Sequence, residues 1–143
     1  MKRKFCNLFT KYLKKQIKKG EIQIPGSGNY SIQPIYINDV SKIISKSLID
    51  KNFKKQTLDL VGPESISFQK YVKLFSKKTR TRIKKISLES AYHDAISNPR
   101  SEFGVDDLNL LVGDFKGNYR KLQKVTKFRF QSISELLKSG RLF

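Results

Sequence analysis

The side chains of this sequence that could perform acid–base, nucleophilic or metal chemistry are few and widely separated. His93 is the single histidine, and a catalytic base needs a nucleophile close in space, which its sequence neighbours do not supply. Asp106 and Asp107 are adjacent, and adjacent carboxylates on a helix point to different sides. Cys6 is the single cysteine, which excludes an intramolecular disulfide and argues against a cysteine-based zinc site. The sequence therefore predicts neither a self-contained catalytic site nor a metal site.

Two motifs of dinucleotide-dependent enzymes are also missing from the sequence. A lysine four residues after a tyrosine would make the phenol more acidic, but none of the six tyrosines has lysine at that offset. Gly26-Ser27-Gly28 lacks the third glycine of a dinucleotide fingerprint, and no Gly-Lys-Ser or Gly-Lys-Thr follows it. These glycines lie between Pro25 and Asn29 and are interpreted as a turn.

The formal net charge of +18 over 143 residues allows two interpretations. A basic face could contact the phosphates of nucleic acid, or the lysines could be solvated side chains on helix surfaces. Lysines far outnumber arginines and are spread at helix-surface spacing, which favours the second interpretation. The stretch from Lys70 to Lys85 interleaves cations with Tyr71 and Phe75, as a single-strand binder would, but both aromatics lie on the apolar stripe of a predicted helix. Nucleic acid is therefore the alternative partner and not the favoured one.

Apolar periodicity and turn residues predict the elements of the first half. Three- and four-residue spacing indicates a basic amphipathic helix from Phe5 to Lys19, with Gly20 as its stop. Strands are predicted over Glu21–Ile24 and over Pro34–Ile37. Asp39 stands where an N-cap is expected, immediately before a second amphipathic helix.

In the second half, Gln56–Val61 alternates like a strand, and Ser65 or Ser67 could cap a third helix. The further predicted elements are a strand over Thr81–Leu88, helices over Glu89–Ser97 and Val105–Val112, and a last helix over Ile133–Ser139, opened by a Ser132/Glu135 capping box and closed by Gly140. No linker, repeat, signal peptide or long apolar run is visible. Residues 1–143 are therefore predicted to form a single α/β domain in the cytoplasm, without a membrane partner.

Three short motifs occur in this order along the chain: Gly26-x-Gly28, then Gln33-Pro34-Ile35-Tyr36-Ile37-x-Asp39-Val40, then Gly62-Pro63-Glu64-x-Ile66-Ser67. Together they resemble the C-terminal portion of extended or atypical short-chain dehydrogenases/reductases, the NAD(P)-dependent nucleotide-sugar epimerase/dehydratase family. In that family a hydrophobic strand ending in Val-x-Asp-Val leads into a helix. A Gly-Pro-Glu turn with a following serine then opens the helix of the substrate-binding lobe. The resemblance extends from Ile22 to about Phe75.

The resemblance implies a partial Rossmann-type C-terminal part, with short strands and amphipathic helices but no complete dinucleotide-binding half. The family's glycine-rich turn, acidic ribose ligand, catalytic serine or threonine and Tyr-x-x-x-Lys are expected upstream of Met1. We therefore expect that this chain binds no cofactor alone, although NAD(P) is the cofactor of the family. No catalytic residue is assigned to it.

The resemblance places Gln33 and Tyr36 as candidates for lining a substrate pocket. Nucleotide-sugar members usually carry an arginine near this strand that binds a diphosphate, and Gln33-Pro34 stands there instead, which argues against a diphosphate sugar as substrate. A substrate-binding lobe of this kind, split from its enzyme or left as a remnant, is expected to act with a partner Rossmann half or to self-associate. The alternative function is that of a small basic nucleic-acid-binding protein.

Overall fold

The computed structural model describes residues 8–139 and has a mixed α/β fold, which confirms the predicted class. The predicted helix start at Phe5, the cysteine Cys6 and the predicted stop at Gly140 lie outside the described residues. The described chain divides into two compact units. The strand unit comprises residues 8–32 and 66–115, and the helical unit comprises residues 33–65 and 116–139. That residues 1–143 form a single domain stays a prediction.

The described part of the chain contains seven α-helices, four short strands and one 3₁₀ helix. In chain order they are α1 (Leu8–Lys18), β1 (Glu21–Pro25), β2 (Ser31–Ile32), α2 (Ile37–Ser47), the 3₁₀ helix (Lys51–Phe53), β3 (Ile66–Ser67), α3 (Phe68–Thr79), β4 (Arg82–Ile86), α4 (Leu88–Ser97), α5 (Val105–Leu111), α6 (Tyr119–Thr126) and α7 (Ile133–Lys138).

Serine side chains begin three of these helices. Ser67, Ser87 and Ser132 are the N-caps of α3, α4 and α7, and each hydroxyl oxygen accepts from the backbone N–H three residues later. Such N–H groups have no carbonyl partner within the helix, so the serine satisfies a donor that would otherwise need water. Glu135 completes the predicted capping box by accepting from the Ser132 N–H at 2.9 Å.

The strand unit contains a parallel pair and an antiparallel pair of strands. Strands β1 and β4 are parallel, with Glu21 opposite Arg82 and Pro25 opposite Ile86. Parallel strands need a crossover connection, and α3, which packs against both strands, provides its helix. Strands β2 and β3 are antiparallel, and they pair where the chain leaves this unit after Ile32 and returns to it at Ile66.

Side chains of α1 cover the edge of β1 that faces away from β4. Gln16 Oε1 accepts from the Gln23 N–H at 2.6 Å, and the Tyr12 hydroxyl donates to the Gln23 carbonyl at 2.9 Å. Burial raises the pKa of Tyr12, so its hydroxyl stays protonated and remains a donor. Backbone groups on a free strand edge would otherwise be open to pairing with another chain.

The core of the strand unit is built largely by α3. Phe68, Tyr71, Val72 and Phe75 form its buried stripe, and the rings of Tyr71 and Phe75 lie 4.8 Å apart between centroids. The other buried hydrophobic residues of this unit are Leu13, Ile22, Ile24, Ile32, Ile66, Ala91, Phe103, Leu108 and Leu111. Burial of Tyr71 and Phe75 confirms the prediction that they belong to the apolar stripe.

The helical unit has a separate small core around Ile43 of α2, Leu122 of α6 and Phe130. Partly buried hydrophobic residues, among them Phe53 and Phe128, pack against these three. Residues 33–65 and 116–139 are far apart in sequence, so this core joins two pieces of chain by burying apolar surface from both.

Two predicted strands of the helical unit are wrong. Residues 33–36 form no strand, and α2 begins at Ile37 with Tyr36 as its N-cap. Residues 56–61 are also irregular, and the Thr57 carbonyl accepts from Lys121 Nζ at 2.8 Å instead of from a neighbouring strand. Alternation of apolar and polar residues shows which side chains of an extended segment are buried. It does not show whether a second strand lies beside that segment and pairs with it.

The predicted N-cap role of Asp39 is also wrong, because α2 begins two residues earlier. The Asp39 N–H already bonds to the Tyr36 carbonyl at 2.9 Å, which places Asp39 inside the first helical turn. Strands β2 and β3, the 3₁₀ helix and α6 were not predicted from the sequence.

Two glycines with left-handed backbone angles give a matched stability test. Gly28 has φ +71°, and a Cβ there would lie 2.7 Å from Ile24 Cγ2; Gly20 has φ +80°, with nothing within 4 Å of such a Cβ. We expect Gly20→Ala to lower the free energy of unfolding by about 1 kcal/mol and Gly28→Ala by about 3 kcal/mol. Urea unfolding followed by circular dichroism measures both values. Equal losses would contradict the packing at Gly28.

The capping box of α7 predicts a pH dependence. The hydrogen bond from the Ser132 N–H, and secondly Arg129, lower the pKa of Glu135 below its ordinary value. A carboxylate with a lowered folded pKa stabilises the fold above its unfolded pKa, and this contribution disappears as pH falls through the folded pKa. Glu135→Gln should therefore be less stable than the parent at neutral pH, and the difference should shrink between about pH 5 and pH 2 in urea unfolding curves. A difference independent of pH would contradict this assignment.

Candidate functional site

The segment before α2 carries both predicted pocket residues, Gln33 and Tyr36. A proline favours extended backbone in the residue before it, so Pro34 keeps Gln33 out of a helical conformation. Tyr36 is extended as well, with φ −76° and ψ 132°, and the helix starts directly after it. The segment therefore runs extended up to the first turn of α2.

Gln33 bonds to two other segments of the helical unit. Its side-chain Nε2 donates to the Gly62 carbonyl at 2.9 Å, and its Oε1 accepts from the Gly117 N–H at 2.9 Å. Its backbone carbonyl also accepts from the Gly62 N–H at 3.3 Å. We call these three hydrogen bonds the Gln33 clamp. An amide offers both a donor and an acceptor, so one side chain can bond a carbonyl and an N–H at once.

Gly62 fits the clamp because it has no side chain. A Cβ at this position would lie 1.9 Å from the Pro34 carbonyl oxygen, far inside the closest contact that two such atoms tolerate. Position 62 therefore requires glycine because the backbone at Pro34 comes too close for any side chain. This gives a structural reason for glycine at the first position of the Gly-Pro-Glu segment.

Tyr36 lies inside the helical unit, with 3% of its surface exposed. The structure therefore presents neither candidate as an open, solvent-facing group: the Gln33 amide bonds to backbone, and the Tyr36 ring is buried. Their contact with a substrate stays a prediction. What the structure shows is that Gln33 brings together segments that are 29 and 84 residues away from it in sequence.

Asp39 is a buried acid of the same unit whose partners the sequence analysis did not identify. It is 3% exposed, and its Oδ2 accepts from the Gln131 N–H at 3.2 Å while its Oδ1 lies 3.6 Å from Lys42 Nζ. Burial, and secondly the charge of Asp39, raise the pKa of Tyr119. A carboxylate in the first turn of a helix is also favoured by the helix dipole, so Asp39 stabilises the start of α2 and the segment before α7.

His93, Asp94 and Asp107 lie on two helices of the strand unit, α4 and α5, which pack against each other. His93 is exposed on α4, and the Asp107 carboxylate at the start of α5 accepts from the Gly104 N–H at 3.0 Å. Hydrogen bonds from Ser101 and Asn98 lower the pKa of Asp94. Among the described residues, no group of three or more His, Cys, Asp or Glu side chains could hold a metal ion. No helix in that part of the chain is both long and apolar enough to span a bilayer.

Comparison with known proteins gives a partial similarity. No family model matches the chain. Over 78 residues it is 28% identical to Prestalk A differentiation protein A of Dictyostelium discoideum. The match covers 54% of this chain and 26% of that protein, so the chain spans about a quarter of its relative's length. The name of that protein refers to prestalk differentiation and specifies no reaction.

The clamp makes Gln33 a stability determinant of the helical unit. Gln33→Ala removes both side-chain bonds and leaves the Gly62 carbonyl and the Gly117 N–H without them, so we expect a loss of about 2–4 kcal/mol in the free energy of unfolding. Gln56→Ala, at an exposed position of the same unit, is the control and should change it by less than about 0.5 kcal/mol. Urea unfolding measures both. Losses of the same size would show that the clamp contributes nothing.

Proposed function

We propose that this chain is the substrate-lobe part of an NAD(P)-dependent enzyme of the extended short-chain dehydrogenase/reductase type. It performs no catalysis by itself. Its partner is a Rossmann half that carries the cofactor and the catalytic residues, and the two act together in the cytoplasm.

The observation that carries the proposal is the contact between two of the three segments on which the resemblance depends. Gln33 opens the segment that resembles the family's strand and helix start, and Gly62 opens the Gly-Pro-Glu segment. The clamp bonds Gln33 to both the N–H and the carbonyl of Gly62, although 29 residues separate them. Segments that form one structural unit in a family must lie together in a member, and a chance combination of short patterns need not.

The chemistry of the site supports a shaping role and not a catalytic one. Both polar ends of the Gln33 amide are engaged by backbone groups, and Asp39 bonds to backbone and lies near Lys42. Neither group is arranged as a general base beside a nucleophile. A wall or lid that positions a substrate needs fixed backbone more than reactive side chains, and the clamp supplies fixed backbone.

The partial similarity to a longer protein gives further support. The relative is about four times as long as the matched segment, since that segment covers 26% of it. The matched sequence therefore occurs there within a larger polypeptide, which is the arrangement expected of one lobe of a larger enzyme.

The test is cofactor binding with and without a Rossmann half. Calorimetric titration of the purified chain with NADPH should give no saturable signal up to about 1 mM. Candidate halves are proteins of the same genome that carry a glycine fingerprint and Tyr-x-x-x-Lys but end before the segment that resembles this chain. At least one should co-purify with the chain in equal amounts, and the complex should bind NADPH at least about tenfold more tightly than the half alone.

Two results would contradict the proposal. One is stoichiometric NADPH binding by the chain alone. The other is failure of every such half to form a complex with it.

A further inference from the structure

The exposed face of α3 carries a line of lysines that the proposed function does not use. Lys70, Lys73 and Lys77 have i, i+3 and i+7 spacing and are exposed. The buried residues of α3 lie on the opposite side of the helix, because one residue corresponds to about 100° of rotation. We call these three residues the basic stripe. Along the helix axis they span about 10 Å, at 1.5 Å per residue.

The sequence that contains the basic stripe and the elements next to α3 is also cationic. Between Lys70 and Lys85 the sequence has eight lysines and arginines and neither aspartate nor glutamate. Arg82, Lys84 and Lys85 of β4, the strand that follows α3, are exposed. Helix α1 packs against α3 and exposes Lys18. The positive potentials of these groups add, which attracts a polyanion more strongly than a single lysine would.

Several cations of this segment, including the two at the centre of the basic stripe, are available to an external anion. Among the described side chains, Lys73, Lys77, Arg82, Lys84 and Lys85 form no ion pair. By contrast, Lys15 of α1 and Lys19, which directly follows α1, pair with Glu102. In the helical unit, Arg129 pairs with Glu135, and Lys121 donates to a backbone carbonyl.

The burial of the aromatic residues decides how such a polyanion would be recognised. Tyr71 and Phe75 are 0% and 1% exposed, so their rings cannot stack on bases. The exposed groups of this face are therefore lysines, and lysine binds phosphate as a point charge. The basic stripe fits a ligand with closely spaced phosphates and no requirement for a base sequence.

The same surface does not fit a lipid membrane. A helix that lies in a bilayer interface inserts large apolar side chains beside its cations. The large hydrophobic residues exposed in the described chain are Ile44, Leu48, Ile49, Leu60, Ile96, Val105, Leu110 and Phe115. None of them lies between residues 70 and 85, so this surface offers phosphate contact without a means of insertion.

We propose that the basic stripe binds the phosphate backbone of double-stranded nucleic acid without sequence preference. This property is independent of the proposed function, because it uses the strand unit and requires neither a cofactor nor a Rossmann half.

The test uses fluorescence anisotropy of a labelled DNA duplex of about 20 base pairs, titrated with the full chain at several salt concentrations. The logarithm of the binding constant should fall linearly with the logarithm of salt concentration, with a slope of about −0.9 per phosphate neutralised. Lys73→Glu with Lys77→Glu should weaken binding at least about tenfold at about 100 mM salt and flatten the slope by about 2 units. Two duplexes of unrelated sequence should bind equally.

The control is Arg120→Glu with Lys124→Glu, an exposed pair with the same i, i+4 spacing on α6. It changes the net charge by the same amount, so a binding loss of no more than about threefold would assign binding to the basic stripe. Thermal melts of both variants establish that each is folded, and Lys73→Gln with Lys77→Gln repeats the test without new negative charge.

Three outcomes would overturn the proposal. They are no binding to the duplex at about 50 mM salt, equal losses in the two charge-reversal variants, and tighter binding to phosphatidylserine vesicles than to DNA. Equal losses would assign binding to net charge alone. Vesicle binding would assign the surface to a membrane.

Discussion

Each unit of this protein is assembled from two stretches of chain that are far apart in sequence, and the fold depends on polar bonds that join them. In the helical unit, Gln33 bonds to Gly117 across 84 residues, and Asp39 bonds to Gln131 across 92. In the strand unit, the Ser31 N–H bonds to Asp114 across 83. Closing such long loops costs conformational entropy, so each long-range bond must act together with the burial of apolar surface around it.

The parts of the fold that the sequence predicted have local causes. Gly20 ends α1 and allows strand β1 to begin directly after it. Ser67 caps α3, and Ser132 caps α7. Helix α6 was missed, although Asn118 caps it by accepting from the Lys121 N–H. Tyr119, Leu122 and Val125 recur at three-residue spacing, so an apolar period was present beside the cap, although it extends over only eight residues.

The candidate site could be predicted only as a set of positions. The sequence placed Gln33 and Gly62 in segments of interest, but the clamp bonds the Gln33 amide to backbone groups, which every residue type has, although the close approach at Gly62 requires glycine. Backbone partners leave no pattern of side chains to search for. By contrast, the burial of Tyr71 and Phe75 follows from periodicity alone, because it depends on which face of one helix is apolar.

Tyr12 and Gln16 block one edge of the β1–β4 sheet, so a further strand can be added only at the other edge. A further strand beside β1 would have to displace two side-chain hydrogen bonds from the Gln23 backbone before it formed any of its own. Any strand that enlarges this sheet is therefore expected to approach along β4, past Arg82, Lys84 and Lys85. Cations on an edge strand repel the same strand of a second copy. The accessible edge of this sheet therefore disfavours edge-to-edge aggregation of the protein.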